Sequence, residues 1–195
     1  MQHVADLFPV PIAGFDLKSD TDNMIDHLLS LDAIVQGENG SFSKDQQVLD
    51  NPIFNELKKE VYQHLYDYID YCKHNVEGIK IVSSWSNTVN QKEHIHTHCH
   101  ENSYISGVIH LTEGSDLIIK KPLVKTFFKI DTEYNDNNQD DFRIPAKKGQ
   151  LILFPSMLFH TVEHQETNTK RVSIAFNTWP LKYGSPAAWV DLTQP

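Results

Sequence analysis

Four of the eleven histidines in this chain of 195 residues fall at every second position of one short run. The run is Glu93-His94-Ile95-His96-Thr97-His98-Cys99-His100. Side chains alternate faces along a β-strand, so a regular strand would carry His94, His96, His98 and His100 on one face. Imidazole is a common ligand for first-row metals, and two histidines at i and i+2 can close on one ion. Four cannot. Every second residue advances a strand by roughly 6.5–7 Å, whereas metal–nitrogen bonds are about 2 Å. Two or three of the four are therefore the most that can touch one metal, and spacing alone leaves both the pair His96/His98 and the pair His98/His100 open. Cys99 points to the other face in this register and reads as a small buried hydrophobe.

A second set of residues lies further along. Gly149 to Ser156 reads as a turn, an apolar strand and a stop, and His160 follows four residues later. Arg171, eleven residues beyond His160, opens the run Arg171-Val172-Ser173-Ile174-Ala175-Phe176-Asn177. Its apolar members Val172, Ile174 and Phe176 must pack on a core, which turns Arg171, Ser173 and Asn177 to the opposite face. A guanidinium on an interior face is costly unless it meets an anion, and it pairs with a carboxylate through two parallel hydrogen bonds. Metal-ligating histidines and an anion-binding arginine in one chain point to a site for a small carboxylate beside a metal ion.

These residues need elements to position them. Leu7 to Ile12 contains two prolines and reads as an extended strand or arm. Asp20 to Leu31 carries a helical stripe of Met24, Ile25, Leu28 and Leu29. Gly37 to Ser43 reads as a polar turn region. Asn51-Pro52 is a cap followed by a proline at the first helical position, and Ile53, Leu57, Val61, Leu65, Ile69 and Cys72 predict a helix from about Pro52 to about His74. After Gly78 the period changes from four to two. Short β-branched and aromatic runs follow at Ile79–Trp85, Glu93–His100, Tyr104–Leu111, Asp116–Lys120, Gln150–Phe154 and Lys170–Asn177, the texture of a β-sandwich or barrel. Asp131 to Asp141 holds five acidic residues and no basic one, and reads as an exposed loop.

Composition narrows the functional classes. The hydrophobic fraction is 39% and the charged fraction 22%, as expected of a folded globular chain. A net charge of −9 disfavours nucleic-acid phosphates and anionic membrane surfaces. Two cysteines, Cys72 and Cys99, make no disulfide framework and suit a reducing compartment. No signal peptide and no membrane span is expected, and nothing in the sequence speaks against a homodimer.

The ordered motifs resemble one family. His98-Cys99-His100 followed by Ser106-Gly107-Val108 is similar to the H-x-H…S-G-V segment of a family of 2-oxoglutarate–iron(II) oxygenases of marine bacteria and their phages. Leu7-Phe8-Pro9 resembles the family's start, and Ser84-Trp85-Ser86-Asn87 its W-x-N strand. Gly149 to Ser156 with His160 and Val162 resembles its G-x-L-x-L-F-P-S…H-x-V block, and Arg171 to Asn177 its R-x-S-x-x-F-N end. The resemblance implies a mainly β fold with N-terminal helices: a cupin-like double-stranded β-helix, or jelly roll. It treats 1–195 as one domain, with 1–77 packing on a core formed by 78–195. It implies Fe(II) held by His98, His100 and His160, with 2-oxoglutarate as co-substrate on Arg171, Ser173 and Asn87. The superfamily's usual carboxylate ligand is a histidine at position 100. The implied reaction is a hydroxylation that uses O2 and converts 2-oxoglutarate to succinate and CO2 while oxidising a substrate that the sequence does not name. The implied setting is the cytoplasm of a bacterium or a phage-infected cell. Two other readings suit a three-histidine set: a cupin-like metalloenzyme that needs no oxo acid, and a jelly roll that binds metal or ligand without catalysis.

Overall fold

The computed structural model of the chain describes residues 9–122, 139–185 and 187–193. In chain order the elements are β1 (Ala13–Asp16), α1 (Asp22–Ser30), β2 (Ala33–Val35), β3 (Ser41–Ser43), α2 (Asn55–Tyr71), β4 (Val76–Val89), β5 (Ile95–His98), β6 (Ile105–His110), β7 (Gly114–Lys120), β8 (Asp141–Ala146), β9 (Gln150–Pro155), β10 (His160–Val162), β11 (Arg171–Ser185) and β12 (Ala188–Asp191). Among the described residues both α-helices precede β4, as the change of period after Gly78 predicts.

The strands form two antiparallel sheets. The larger runs β1-β9-β6-β11-β4-β3-β2, with β12 added on β11, and the smaller runs β5-β10-β7-β8. Together they make the expected jelly roll. Two apolar layers explain the alternation along the strands. Helix residues Leu57, Val61 and Leu65 pack with Ile105, Ile109, Leu151, Leu153, Val172, Ile174 and Phe176 on one face of the large sheet. Val108, Ile152 and Phe154, from its other face, pack with Leu117, Ile119, Ile144 and Val162 of the small sheet inside the roll. In β11 this parity sends Val172, Ile174 and Phe176 to the helices and leaves Arg171 and Ser173 facing inward.

α2 owes its place to the four-residue stripe, of which Leu57, Val61, Leu65 and Ile69 are buried; each such side chain contributes about 1.5–3 kcal/mol. The helix starts later than its sequence signals suggest. Asn51 Oδ1 accepts from the Ile53 N–H at 3.1 Å and Pro52 follows, but Pro52–Phe54 is a 3₁₀ turn. The expected polar turn near Gly37 contains a short strand, β3, which pairs with β4. β8 and the three-residue β10 have no counterpart among the expected strands. Of the extended arm, residues 9–12 carry no regular structure and Leu7 and Phe8 lie outside the described residues. The acidic loop lies outside them too, apart from residues 139–141. Cys99 is half-exposed, because β5 ends at His98 before the alternation reaches it.

Gly107 lets the sheet close on its helix-side core. A Cβ at this position would lie 2.1 Å from Phe176 Cζ, so any side chain would displace the ring or the strand. β4 contains one irregularity. Asn177 faces Ser83 and Thr178 faces Ile81, which leaves Val82 unopposed as a bulge. The Val82 carbonyl accepts instead from Gln47 Nε2 at 3.0 Å.

Candidate active site

The interior of the roll holds a cavity lined by residues from both sheets, among them Trp85, Asn87, His98, His100, His160, Arg171 and Ser173. Every site residue singled out from the sequence therefore borders the same space.

Three imidazoles meet at one end. His98 closes β5 and pairs across the sheet with His160 of β10. His100 lies beyond the strand, where its N–H donates to the Ser156 carbonyl at 2.9 Å and so ties the turn to the end of β9. The ring centroids of His98 and His160 are 4.3 Å apart, and His100 is 5.0 Å from each of them. One nitrogen from each of the three lies within 4.8 Å of the others, close to the span that a single first-row ion bridges with bonds of roughly 2.0–2.1 Å.

Protonation suits that use. The His98 Nδ1–H donates to the His96 carbonyl at 2.8 Å and the His160 Nδ1–H to the Leu158 carbonyl at 2.9 Å. Each bond leaves Nε2 as the nitrogen with a free lone pair, the arrangement a metal requires. Burial, then the neighbouring His98, push His100 down to about 4. Burial, followed by His98, pushes His160 down to about 3. His98 is lowered by burial as well. All three rings are therefore neutral at pH 7 and need lose no proton to bind a cation. The other rungs of the ladder turn elsewhere: His96 is exposed, and the His94 ring lies tilted against His164 with centroids 4.5 Å apart.

The second polar centre is Arg171, which is 1% exposed. Its Nε donates to the Ser115 carbonyl at 3.0 Å, Nη1 to Ser173 Oγ at 3.2 Å and Nη2 to His110 Nδ1 at 3.3 Å. A guanidinium has five N–H groups, so these bonds leave one free on each terminal nitrogen, the pattern that grips a carboxylate. Gly114 makes room for the arginine stem, since a Cβ there would lie 2.9 Å from Arg171 Cβ. Burial pushes Arg171 down to about 10, partly offset by the charge of Asp116, so it stays a cation. Among the described residues no carboxylate pairs with it. A buried cation without a counter-ion is expensive, and a carboxylate-bearing ligand would remove that cost. The residues present thus fit both a divalent metal and a carboxylate co-substrate.

Three neighbours were not singled out as site residues. Trp85 lies against His100 with ring centroids 5.5 Å apart. The Asn177 amide lies 3.5 Å from His100 Nδ1 and accepts from Ser106 Oγ at 2.7 Å. His110 is fully buried behind Arg171. The signal for His110 was a histidine ending a strand of otherwise small or apolar residues, in step with Ser106 and Val108.

Comparison with known proteins adds the following. Residues 83–177 match the sequence model of a family described as "Putative 2OG-Fe(II) oxygenase". No match was found among curated proteins. Among solved structures, the non-haem α-ketoglutarate-dependent carbocyclase SnoK from nogalamycin biosynthesis aligns with a TM-score of 0.63 at 11% identity, over 89% of this chain and 81% of SnoK. HygX from Streptomyces hygroscopicus, with nickel and 2-oxoglutarate bound, aligns with a TM-score of 0.59 at 12% identity, over 88% of this chain and 83% of its own. The viral collagen prolyl hydroxylase of Paramecium bursaria Chlorella virus 1, in complex with 2OG, aligns with a TM-score of 0.56 at 11% identity, over 86% and 94%. At such identities the likeness is one of fold.

Proposed function

We propose that this chain, whose residues 83–177 match the model of the 2OG-Fe(II) oxygenase family, is an oxygenase of that kind that holds Fe(II) on His98, His100 and His160 and anchors 2-oxoglutarate on Arg171. One observation carries the reading: a single cavity has three neutral imidazoles at one end and a buried, unpaired guanidinium at the other. 2-Oxoglutarate has an α-keto acid at one end and a free carboxylate at the other, and so matches both. Solved proteins of this fold that hold nickel or iron and 2-oxoglutarate support it.

Bound iron would supply the activation of O2 that couples oxidative decarboxylation of 2-oxoglutarate to oxidation of the substrate. The chain's own residues do the positioning. Arg171 and the Ser173 hydroxyl hold the far carboxylate, and Asn87 is the polar neighbour of the keto-acid half. The backbone carbonyls of His96 and Leu158 fix the tautomers of His98 and His160. Phe154, Val162 and Leu117 wall the cavity and exclude water. The unit is one domain spanning 1–195, and its setting is cytoplasmic. The net charge of −9 argues against nucleic-acid and anionic-membrane partners, and a homodimer is compatible with the reading. Among the described residues no helix is long and apolar enough to cross a membrane.

The test is an anaerobic titration of the Fe(II)-loaded protein with 2-oxoglutarate, read by the weak visible charge-transfer band of the chelate, followed by a succinate assay in air. Growth of the band and metal-dependent succinate are expected. Absence of both would replace this reading with a cupin-like metalloenzyme that uses no oxo acid.

A further inference from the structure

Arg171 is held by three acceptors, and none of them is negative: the Ser115 carbonyl, the Ser173 hydroxyl and the His110 ring. His110 is the unexpected member. It ends β6, is fully buried, and lies between Ser173 of β11 and Gln150 of β9. To accept from the guanidinium at Nδ1 it must be neutral, with its proton on Nε2. Among the described residues that Nε2 has no hydrogen-bond partner. A buried donor left unpaired lowers stability, and an apolar ring of similar shape would avoid the loss. Packing therefore does not account for a histidine here.

We propose that His110 is a positioning residue for the co-substrate: Nδ1 aims the Arg171 fork into the cavity without placing an anion against it, so that no adjoining carboxylate competes with an incoming one. A carboxylate at position 110 would hold the arginine more firmly and bind the ligand less well. It would form an internal ion pair that 2-oxoglutarate would have to displace. Burial, followed by the charge of Arg171, pushes His110 down to about 3, which keeps it a neutral acceptor. The inference rests on the reading of the cavity as a 2-oxoglutarate site.

The experiment is calorimetric titration of 2-oxoglutarate into Mn(II)-loaded wild type and three variants, with thermal unfolding of each metal-free protein. His110→Asn keeps an acceptor where Nδ1 stands and should bind within about threefold of wild type. His110→Phe should bind about tenfold more weakly with an equal or higher Tm, a split that a merely structural residue would not give. His110→Asp should bind about a hundredfold more weakly while still taking up Mn(II). Wild-type affinity in the Phe variant would overturn the aiming role, and wild-type affinity in the Asp variant would overturn the need for neutrality. Parallel loss of Tm and affinity in the Phe variant would reduce His110 to packing. If the wild type itself binds no 2-oxoglutarate, the reading of the cavity falls and this inference falls with it.

Discussion

At the histidine end of the cavity every ligand candidate is neutral at pH 7, whereas at the arginine end a cation is buried with only neutral acceptors around it. The first end becomes charged only when a metal arrives. The second is charged at all times and gains stability from an anion. With no carboxylate among the three histidines, a divalent ion would keep both of its charges, and the cavity would present one positive charge more than a site with an acidic ligand. With a metal bound, such a cavity would attract a dianion, and the attraction would be set as much by the missing carboxylates as by the groups present.

The most severe way to break this contrast is to remove a ligand. His160→Ala should lower metal content from about one ion per chain to under about a tenth, with the fold retained, since three nitrogens define the site. Metal analysis with circular dichroism checks this, and unchanged stoichiometry would remove the histidine end from the comparison. Next comes the arginine end. Arg171→Lys keeps the charge but loses the two-pronged geometry, and should weaken 2-oxoglutarate binding roughly 30-fold or more, about 2–5 kcal/mol, while metal uptake persists. Equal affinities by calorimetry would show that charge alone suffices.

A third effect is on stability. The folded pKa of His110 is about 3, against roughly 6.5 in an unfolded chain. Above pH 6.5 both states are neutral and stability is complete. As pH falls towards 3 the unfolded chain takes a proton that the folded one refuses, so stability is lost. Between pH 7 and 4.5 the loss from this group should be about 2–3 kcal/mol in the metal-free protein, and His110→Phe should abolish that share. Urea unfolding at the two pH values measures it; identical losses in both proteins would mean that His110 is protonated beside Arg171. The smallest expected effect sharpens the contrast. His100→Asp supplies the missing negative ligand, so metal should still bind while 2-oxoglutarate weakens by roughly tenfold, or ~1.4 kcal/mol. Tighter 2-oxoglutarate binding in this variant would contradict the charge argument.

Much of this was legible in residue order, for physical reasons that differ by element. The stripe of α2 and the alternation of β11 are long, and burial enforces them. Their faces follow from the sequence without knowledge of any partner. The histidine run was less so. Alternation put four rings on one face, but β5 ends at His98, His100 is placed by a backbone bond to Ser156, and His94 turns to His164. No local pattern carries those tertiary bonds. β10 has three residues, too few for a period to show. His110 was hidden because a single histidine at the end of an apolar strand reads as core until Arg171 is seen beside it.

The bulge at Val82 lets one strand serve two masters of opposite parity. Ile79 and Ile81 pack against the helices, while Trp85 and Asn87, also odd-numbered, border the cavity. An unbroken pleat would put all four on one face. The unopposed residue is therefore a phase shifter, and it sets how each half of the strand tolerates a change in length. A one-residue insertion or deletion between 76 and 82 can be taken up by gaining or losing a bulge. The same change between 83 and 89 would carry Trp85 and Asn87 through the sheet, out of the cavity and into the hydrocarbon of the helix layer.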